Sequence, residues 1–254
     1  MATETIKRPW WKHWWGVLII VFLSILGLLV IYFFQQFFKY YGLVRRGEIS
    51  NAEIVFADRF TVSGQLKTSI AQAAAASTDT LATDDDPQIG HPLASMVIVE
   101  FADFGCPFSR EASSVVRELA AKYSDRVRYI YRDLPLDDVH PDARRAAEAG
   151  ECAQDQGNFW ALHDKMYQNQ DRLSQDDLIR YAQETGLDVA EFTACLESGK
   201  YQQEVQEDFE AGVAAGVRGT PTFFFNGVRV EGSIPKELFE KILLDIPEPS
   251  STTP

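Results

Sequence analysis

The sequence predicts an α/β domain with an all-helical insertion, preceded by a single N-terminal transmembrane helix. Three observations carry this. An apolar run, Val97 to Phe101, passes through a short turn into residues with helical spacing, Ala112 to Tyr123. Clear strand signals stop after Val127 to Tyr131 and return only at Thr222 to Phe225, with a long helical region between them. Gly16 to Phe34 contains no charged residue.

That uncharged stretch is long enough, at about 28 Å as a helix, to match a bilayer core of about 30 Å. Trp10, Trp11, Trp14 and Trp15 crowd one end and Tyr32, Tyr40 and Tyr41 the other, as interfacial aromatics do. A cleaved signal peptide would have a shorter apolar core with small residues after it. Gln35-Gln36-Phe37-Phe38-Lys39 follows instead, so an uncleaved anchor is expected. Residues 1–38 are therefore read as a short tail and anchor (span 16–34), and 39–88 as a stalk and flexible linker. Ala71 to Pro87 is rich in Ala, Ser, Thr and Asp, the composition of a tether. Asp84-Asp85-Asp86 is read as solvated linker charge rather than a metal site. The domain is expected at 89–246, with its helical insertion at 141–216, and 247–254 as a disordered tail.

The formal net charge is −13. Residues 1–46 hold Lys7, Arg8, Lys12, Lys39, Arg45 and Arg46 against Glu4, so the rest of the chain is strongly acidic. That balance argues against a nucleic-acid partner. Basic residues flank the span equally on both sides, so charge does not orient it.

Within the domain, Val97-Ile98-Val99 to Phe101 reads as a buried strand. Asp103-Phe104-Gly105 forms a turn and delivers Cys106. Pro107 suits the first turn of a helix, where its missing N–H is not needed. Ala112, Val115, Val116, Leu119, Ala120 and Tyr123 then share one helical face. VRYIY from Val127 is a second strand. Helices follow from Pro141 to about Gly216, with Asn158, Ser174 with Asp177, and Asp188 with Glu191 as expected caps. A helix is expected over Gln202 to Ala214. Asn226-Gly227 supplies a type I′ hairpin turn between Thr222–Phe225 and Val228–Val230. Pro235 opens a last helix, with Leu238, Phe239, Ile242 and Leu243 on one side. The order is β-α-β, helices, β-β-α, without an internal repeat.

This reading sets Cys106 at a helix N-terminus. Free amides and the helix dipole there stabilise an anion, and the thiolate is the reactive form of cysteine. Arg110 adds positive charge, and Ser109 is placed to donate a hydroxyl hydrogen bond to the sulfur. The competing reading is a small apolar cysteine that fills a helix start. Phe104, Pro107 and Phe108 flank Cys106 as an apolar lip for peptide substrates.

VIVEF followed by DFGCPFSREA resembles the active-site segment of the DsbA-like thioredoxin family, in which a strand leads into F-x-D-F-x-C-P-[FY]-C. YIYRDLPL (129–136), HPDARRAAEAGECAQDQGNFWALHDKMY (140–167) and GVRGTPTFFFNG (216–227) extend the similarity across roughly residues 86–245. The resemblance implies a thioredoxin-like fold and a membrane-anchored thiol–disulfide oxidoreductase or isomerase. Cys106 would be the nucleophile, and the partners would be cysteine-containing proteins and an external thiol or redox protein. With a short N-terminal tail in the cytoplasm, the domain would lie outside it, in a periplasm or at the cell surface. The resemblance further implies a cis Pro221, with the Thr220 backbone pairing with an extended substrate. It also implies a disulfide between Cys152 and Cys195, adding about 4 kcal/mol in the chain-entropy model; two buried free thiols are the alternative.

One departure matters. Where the family has its second active-site cysteine this chain has Ser109, giving a C-P-F-S motif. Two readings stay open: a monothiol oxidoreductase, or a redox-inactive peptide-binding module. A Cys-His-Asp hydrolase built from His140, His163 and Asp164 finds little support, since His163 sits mid-helix in FWALHDKMY. No zinc-type spacing of Cys or His is present, and no metal or cofactor is expected.

Overall fold

The computed structural model describes residues 81–244, together with 18, 21–23, 25–27, 29–30 and 32–35 of the N-terminal stretch. Those N-terminal positions are helical, and their apolar side chains are open, Phe22 at 65% and Phe33 at 64% exposure. Among the described residues no helix is long and apolar enough to cross a membrane. The expected span falls partly outside those residues, and the 39–80 stalk and 247–254 tail fall wholly outside them.

The domain is built on a mixed sheet of five strands: β1 (Gln88–Gly90), β2 (Met96–Ala102), β3 (Val127–Asp133), β4 (Thr222–Phe225) and β5 (Val228–Glu231), in the order β1-β3-β2-β4-β5. β2 and β3 run parallel, joined by helix α1 (Pro107–Lys122); the other pairings are antiparallel. β1 is a short edge strand that the sequence reading did not separate from the linker. It starts just after Pro87, whose carbonyl accepts from the Tyr131 amide at 2.9 Å.

Five helices fill the space between β3 and β4: α2 (Ala143–Gln154), α3 (Phe159–Gln168), α4 (Gln175–Glu184), α5 (Val189–Ser198) and α6 (Gln202–Ala214). Helix α7 (Lys236–Leu244) closes the chain. Two expected caps form: Ser174 Oγ accepts from the Asp177 amide, and Asp188 Oδ1 accepts from the Ala190 and Glu191 amides. Asn158 does not cap α3. Its side-chain amide donates to the Thr185 carbonyl at 2.7 Å, because a tertiary acceptor lies within reach and competes with the local amide. Cys152 of α2 and Cys195 of α5 are bonded, with their Cα atoms 5.9 Å apart.

Both faces of the sheet are covered. Val99, Phe101, Ile130, Leu134, Val217 and Phe224 form one core cluster. On α6, Gly212 lets the helix approach that cluster: a Cβ there would stand 2.4 Å from Leu134 Cδ1. Elsewhere Phe239 of α7 packs on Phe223 and Phe225, ring centroids 5.8 and 5.1 Å apart. At the hairpin, Asn226 and Gly227 both have positive φ, as a type I′ turn requires. Asn226 also ties the hairpin to β2, accepting from the Val97 amide and donating to the Ser95 carbonyl.

The packed domain begins earlier than residue 89. Leu81 and Ala82 lie against the core, and Asp86 is 3% exposed, so it is not solvated linker charge. Asp86 faces the buried Arg132 of β3 at 3.2 Å, while Asp84 and Asp85 remain exposed. An ion pair with a partner distant in sequence places this carboxylate, and composition carries no sign of it.

Candidate functional site

β2 ends at Ala102 and the chain turns sharply into α1. Cys106 is the N-cap of α1, extended at φ −80°, ψ 121°, with Pro107 in the first turn. Asp103 organises the turn. Its Oδ1 accepts from the Gly105 amide at 2.6 Å, its Oδ2 from the Leu136 amide at 3.1 Å, and its carbonyl from the Cys106 amide at 3.0 Å. Asp103 Oδ2 also lies 2.7 Å from His140 Nδ1. Gly105 makes the arrangement possible, since a Cβ there would fall 2.4 Å from the His140 Cβ. From the helical region, Gln170 Nε2 donates to the carbonyls of Phe104 and Cys106, at 2.7 and 2.8 Å. Sequence reasoning missed Asp103 and Gln170 as buttresses and considered His140 only as a hydrolase candidate. The sole hint was an acidic residue two positions before a turn glycine, a common Asx-turn arrangement.

The Cys106 thiol is 4% exposed and donates to the Thr220 carbonyl at 3.2 Å. The Thr220–Pro221 peptide bond is cis, which sets that carbonyl against the sulfur although the two residues are 114 positions apart. Ser109 is fully buried, and its hydroxyl accepts from the Asp103 amide at 3.4 Å. The expected Ser109 hydrogen bond to sulfur is therefore not formed: within the first helical turn the hydroxyl is drawn back to an amide of the preceding loop. Arg110 is exposed, one turn beyond the cysteine.

The predicted apolar lip divides. Phe108 is 61% exposed and Pro107 is exposed beside it. Phe104 is not part of a lip. It is 1% exposed and packs against Tyr167, Tyr131 and His163, at 5.0, 5.4 and 5.7 Å between ring centroids. Facing an aromatic cluster, that ring gains more from burial than from water. His163 is enclosed in the same cluster, its Nδ1 2.8 Å from Asp164 Oδ1, and burial lowers its pKa. It belongs to the core, and no Cys-His-Asp triad is assembled around Cys106. Among the described residues no cluster of His, Cys, Asp or Glu has metal-holding geometry.

Glu100 lies on β2, six residues before Cys106, with its carboxyl buried. Tyr129 donates to Oε2 at 2.6 Å, while Oε1 has no hydrogen-bond partner. Burial pushes its pKa up to about 8, against the lowering effect of the Tyr129 bond. A carboxyl raised in the folded state destabilises nothing below its unfolded value of about 4.5; its cost grows from there to about pH 8 and then levels off. Glu100→Gln is therefore expected to match wild type near pH 4.5 and to exceed it by about 5 kcal/mol above pH 8. Urea unfolding across this pH range measures the divergence; curves with a constant separation would show that Glu100 titrates in the folded domain as it does in the unfolded chain.

The thioredoxin family model matches residues 82–245. Among curated proteins, a Na(+)/H(+) antiporter NhaA 3 of Salinispora tropica is 44% identical over 149 residues, covering 59% of this chain but 23% of the antiporter. The chain thus spans about a quarter of that relative's length. Among solved structures, a thioredoxin-like oxidoreductase from Silicibacter pomeroyi DSS-3 superposes with a TM-score of 0.60 at 25% identity, covering 66% of this chain and 96% of that one. The thiol-disulfide exchange protein alpha-DsbA2 from Wolbachia pipientis gives a TM-score of 0.61 at 18% identity, over 72% and 96% of the two chains, a likeness of fold. A strand that hands a cysteine to a helix beside a cis-proline loop is thus set in a chain that belongs to the thioredoxin family, with DsbA-like thiol–disulfide oxidoreductases as its structural neighbours.

Proposed function

We propose that this chain is a membrane-anchored, extracytoplasmic thiol–disulfide oxidoreductase or isomerase that works on protein substrates through Cys106 alone. The observation that carries the reading is a cysteine at a helix N-terminus, facing the Thr220–Pro221 loop, with Ser109 where a second thiol would be needed. Amides of the first turn and the helix dipole favour the thiolate formed when the thiol gives up its proton. That thiolate attacks one sulfur of a substrate disulfide; the other sulfur leaves as a thiolate and takes up a proton. The result is a mixed disulfide on Cys106. The Ser109 hydroxyl cannot open it, so a thiol from a substrate or from solution attacks next and frees Cys106. The Thr220 backbone offers strand-like pairing to the substrate, and exposed Phe108 and Pro107 offer apolar contact.

Membrane attachment draws support from the uncharged Gly16–Phe34 run and from the open apolar side chains at its described helical positions. The antiporter name of a relative is consistent with a membrane setting. Ion transport itself is not assigned to this chain, which spans so little of that relative.

The test compares cells that produce wild type and Cys106→Ser. Membranes are washed with carbonate and run on a non-reducing gel. Wild type is expected to show a ladder of adducts in the washed pellet, and Cys106→Ser none. Equal ladders would replace the redox reading with the peptide-binding module, which needs no sulfur. Adducts recovered in the wash instead of the pellet would remove the anchor and leave the chemistry standing.

A further inference from the structure

A mixed disulfide on Cys106 needs a thiol from outside the motif. About one helical turn beyond the cysteine lies a cleft of about 510 Å³, between α1 and α3. Small-molecule sites run from about 300 to 1,000 Å³. Its α1 wall is Arg110, Ser113, Ser114 and Arg117, and Asp164, Tyr167 and Gln168 of α3 face them. The α1 residues stand 4, 7, 8 and 11 positions after Cys106. Those offsets place them on one helical face in line with the cysteine, so the cleft continues the line that starts at the sulfur-bearing residue. At about 1.5 Å per residue, Arg110 lies about 6 Å along the axis from Cys106.

The charges in this cleft are unequal. Arg117 is already occupied: Nε and Nη2 donate to the two Asp164 carboxylate oxygens at 3.2 and 3.3 Å, and its guanidinium lies 4.4 Å from the Trp160 ring centroid. Arg110 has no acidic partner among the described residues. An unpaired guanidinium beside serine and glutamine side chains, in a chain of net charge −13, fits a carboxylate ligand.

Resting on the single-cysteine reading above, we infer that this cleft binds the carboxylate-bearing part of a small acidic thiol, a short thiol peptide of the glutathione type, and presents its sulfur to Cys106. Two or three extended peptide units span about 7 to 10 Å, enough to reach from Arg110 to the cysteine. The chemistry balances without a second protein thiol. The Cys106 thiolate attacks the small-thiol sulfur of a protein–S–S–R disulfide. The protein sulfur leaves as a thiolate and is protonated, and Cys106–S–S–R forms. A second R–SH loses its proton and attacks the R sulfur, returning the Cys106 thiolate and R–S–S–R. The protein sulfur is thereby reduced, and one small thiol is oxidised, joining the R sulfur taken from the mixed disulfide as R–S–S–R.

The experiment uses the purified full chain and two probes: glutathione disulfide, which is acidic, and bis(2-hydroxyethyl) disulfide, which is neutral. Mass spectrometry follows the rate at which each modifies Cys106. The readout is the ratio of the two rates, which cancels any effect of a variant on the sulfur itself. Arg110→Gln is expected to lower the ratio about tenfold, the loss of one charge-assisted contact. Ser114→Glu, which sets a carboxylate on the exposed wall of the cleft, is expected to lower it as well. An unchanged ratio in both variants would overturn the inference. So would a loss seen only with an acidic protein disulfide while glutathione disulfide is unaffected, because the cleft would then read the flank of a protein substrate. If neither probe modifies wild type, the redox reading of Cys106 fails first and this one with it.

Discussion

Ser109→Cys is expected to shorten the lifetime of the Cys106 mixed disulfides by ~100-fold or more and to add dithiol oxidase activity. The reasoning is local. Ser109 is buried within the first turn of α1, three residues after Cys106, and its side chain points back to the Asp103 amide. Serine to cysteine changes one atom and keeps the shape of that pocket. A thiol held there attacks from within the molecule, whereas a thiol in solution must first arrive, and well-placed intramolecular groups gain orders of magnitude over millimolar solutes. The introduced thiolate attacks the Cys106 sulfur, the substrate sulfur leaves with the bonding pair and is protonated, and the disulfide left between Cys106 and position 109 can then be passed to substrate thiols. The measurement is the decay of preformed adducts, wild type beside variant, with no added thiol. Unchanged decay would mean that the new thiol cannot reach Cys106, and the account of Ser109 as the missing resolving group would fall.

Arg132→Met is expected to destabilise the domain by about 3–5 kcal/mol at pH 7, roughly 10 °C or more in Tm for a domain of this size. Arg132 is 4% exposed. Its guanidinium faces Asp86 at 3.2 Å, donates to Asp208 from Nε at 2.9 Å and also from Nη2, and reaches the Leu81 carbonyl from Nη1 at 3.2 Å. It thus joins the start of the domain, β3 and α6. Methionine keeps the stem and leaves Asp86 and Asp208 without the cation. Burial already pushes Asp86 up to about 7 and raises Asp208, Asp133 and Glu151, with Glu204 at about 7. Carboxyls with raised folded-state pKa values cost nothing below their unfolded values near 4 and cost most above about 7. Wild type should therefore be more stable at pH 5 than at pH 8, and Arg132→Met should lose most at the higher pH. Thermal melts at the two values check both signs. A variant loss independent of pH would show that packing, not charge, accounts for Arg132.

The order of elements was legible from periodicity alone. The apolar alternation of β2, the 3- and 4-residue spacing in α1, and Asn226-Gly227 each act over a few residues, and each formed close to where the residues implied. The motif cysteine and its helix N-terminus were legible for the same reason: Pro107 and the apolar face after it define the start of α1. What tertiary structure decided were the contacts between residues far apart in the chain. Phe104 reads as a lip residue beside Cys106 until Tyr131 and Tyr167 arrive to cover it. Asp86 reads as linker charge until Arg132, 46 positions on, takes it out of water. Asp103, His140 and Gln170 converge on the turn that carries Cys106 from three separate segments. The cleft one turn beyond Cys106 needs α3 laid along α1 before Arg110 stands out as its cation with no acidic partner among the described residues. Backbone propensity and apolar spacing are properties of a local segment, so the sequence by itself determined the elements and the place of Cys106 at a helix start. Burial, ion pairing and the shape of a cleft depend on which segments meet, and only the folded chain decides that.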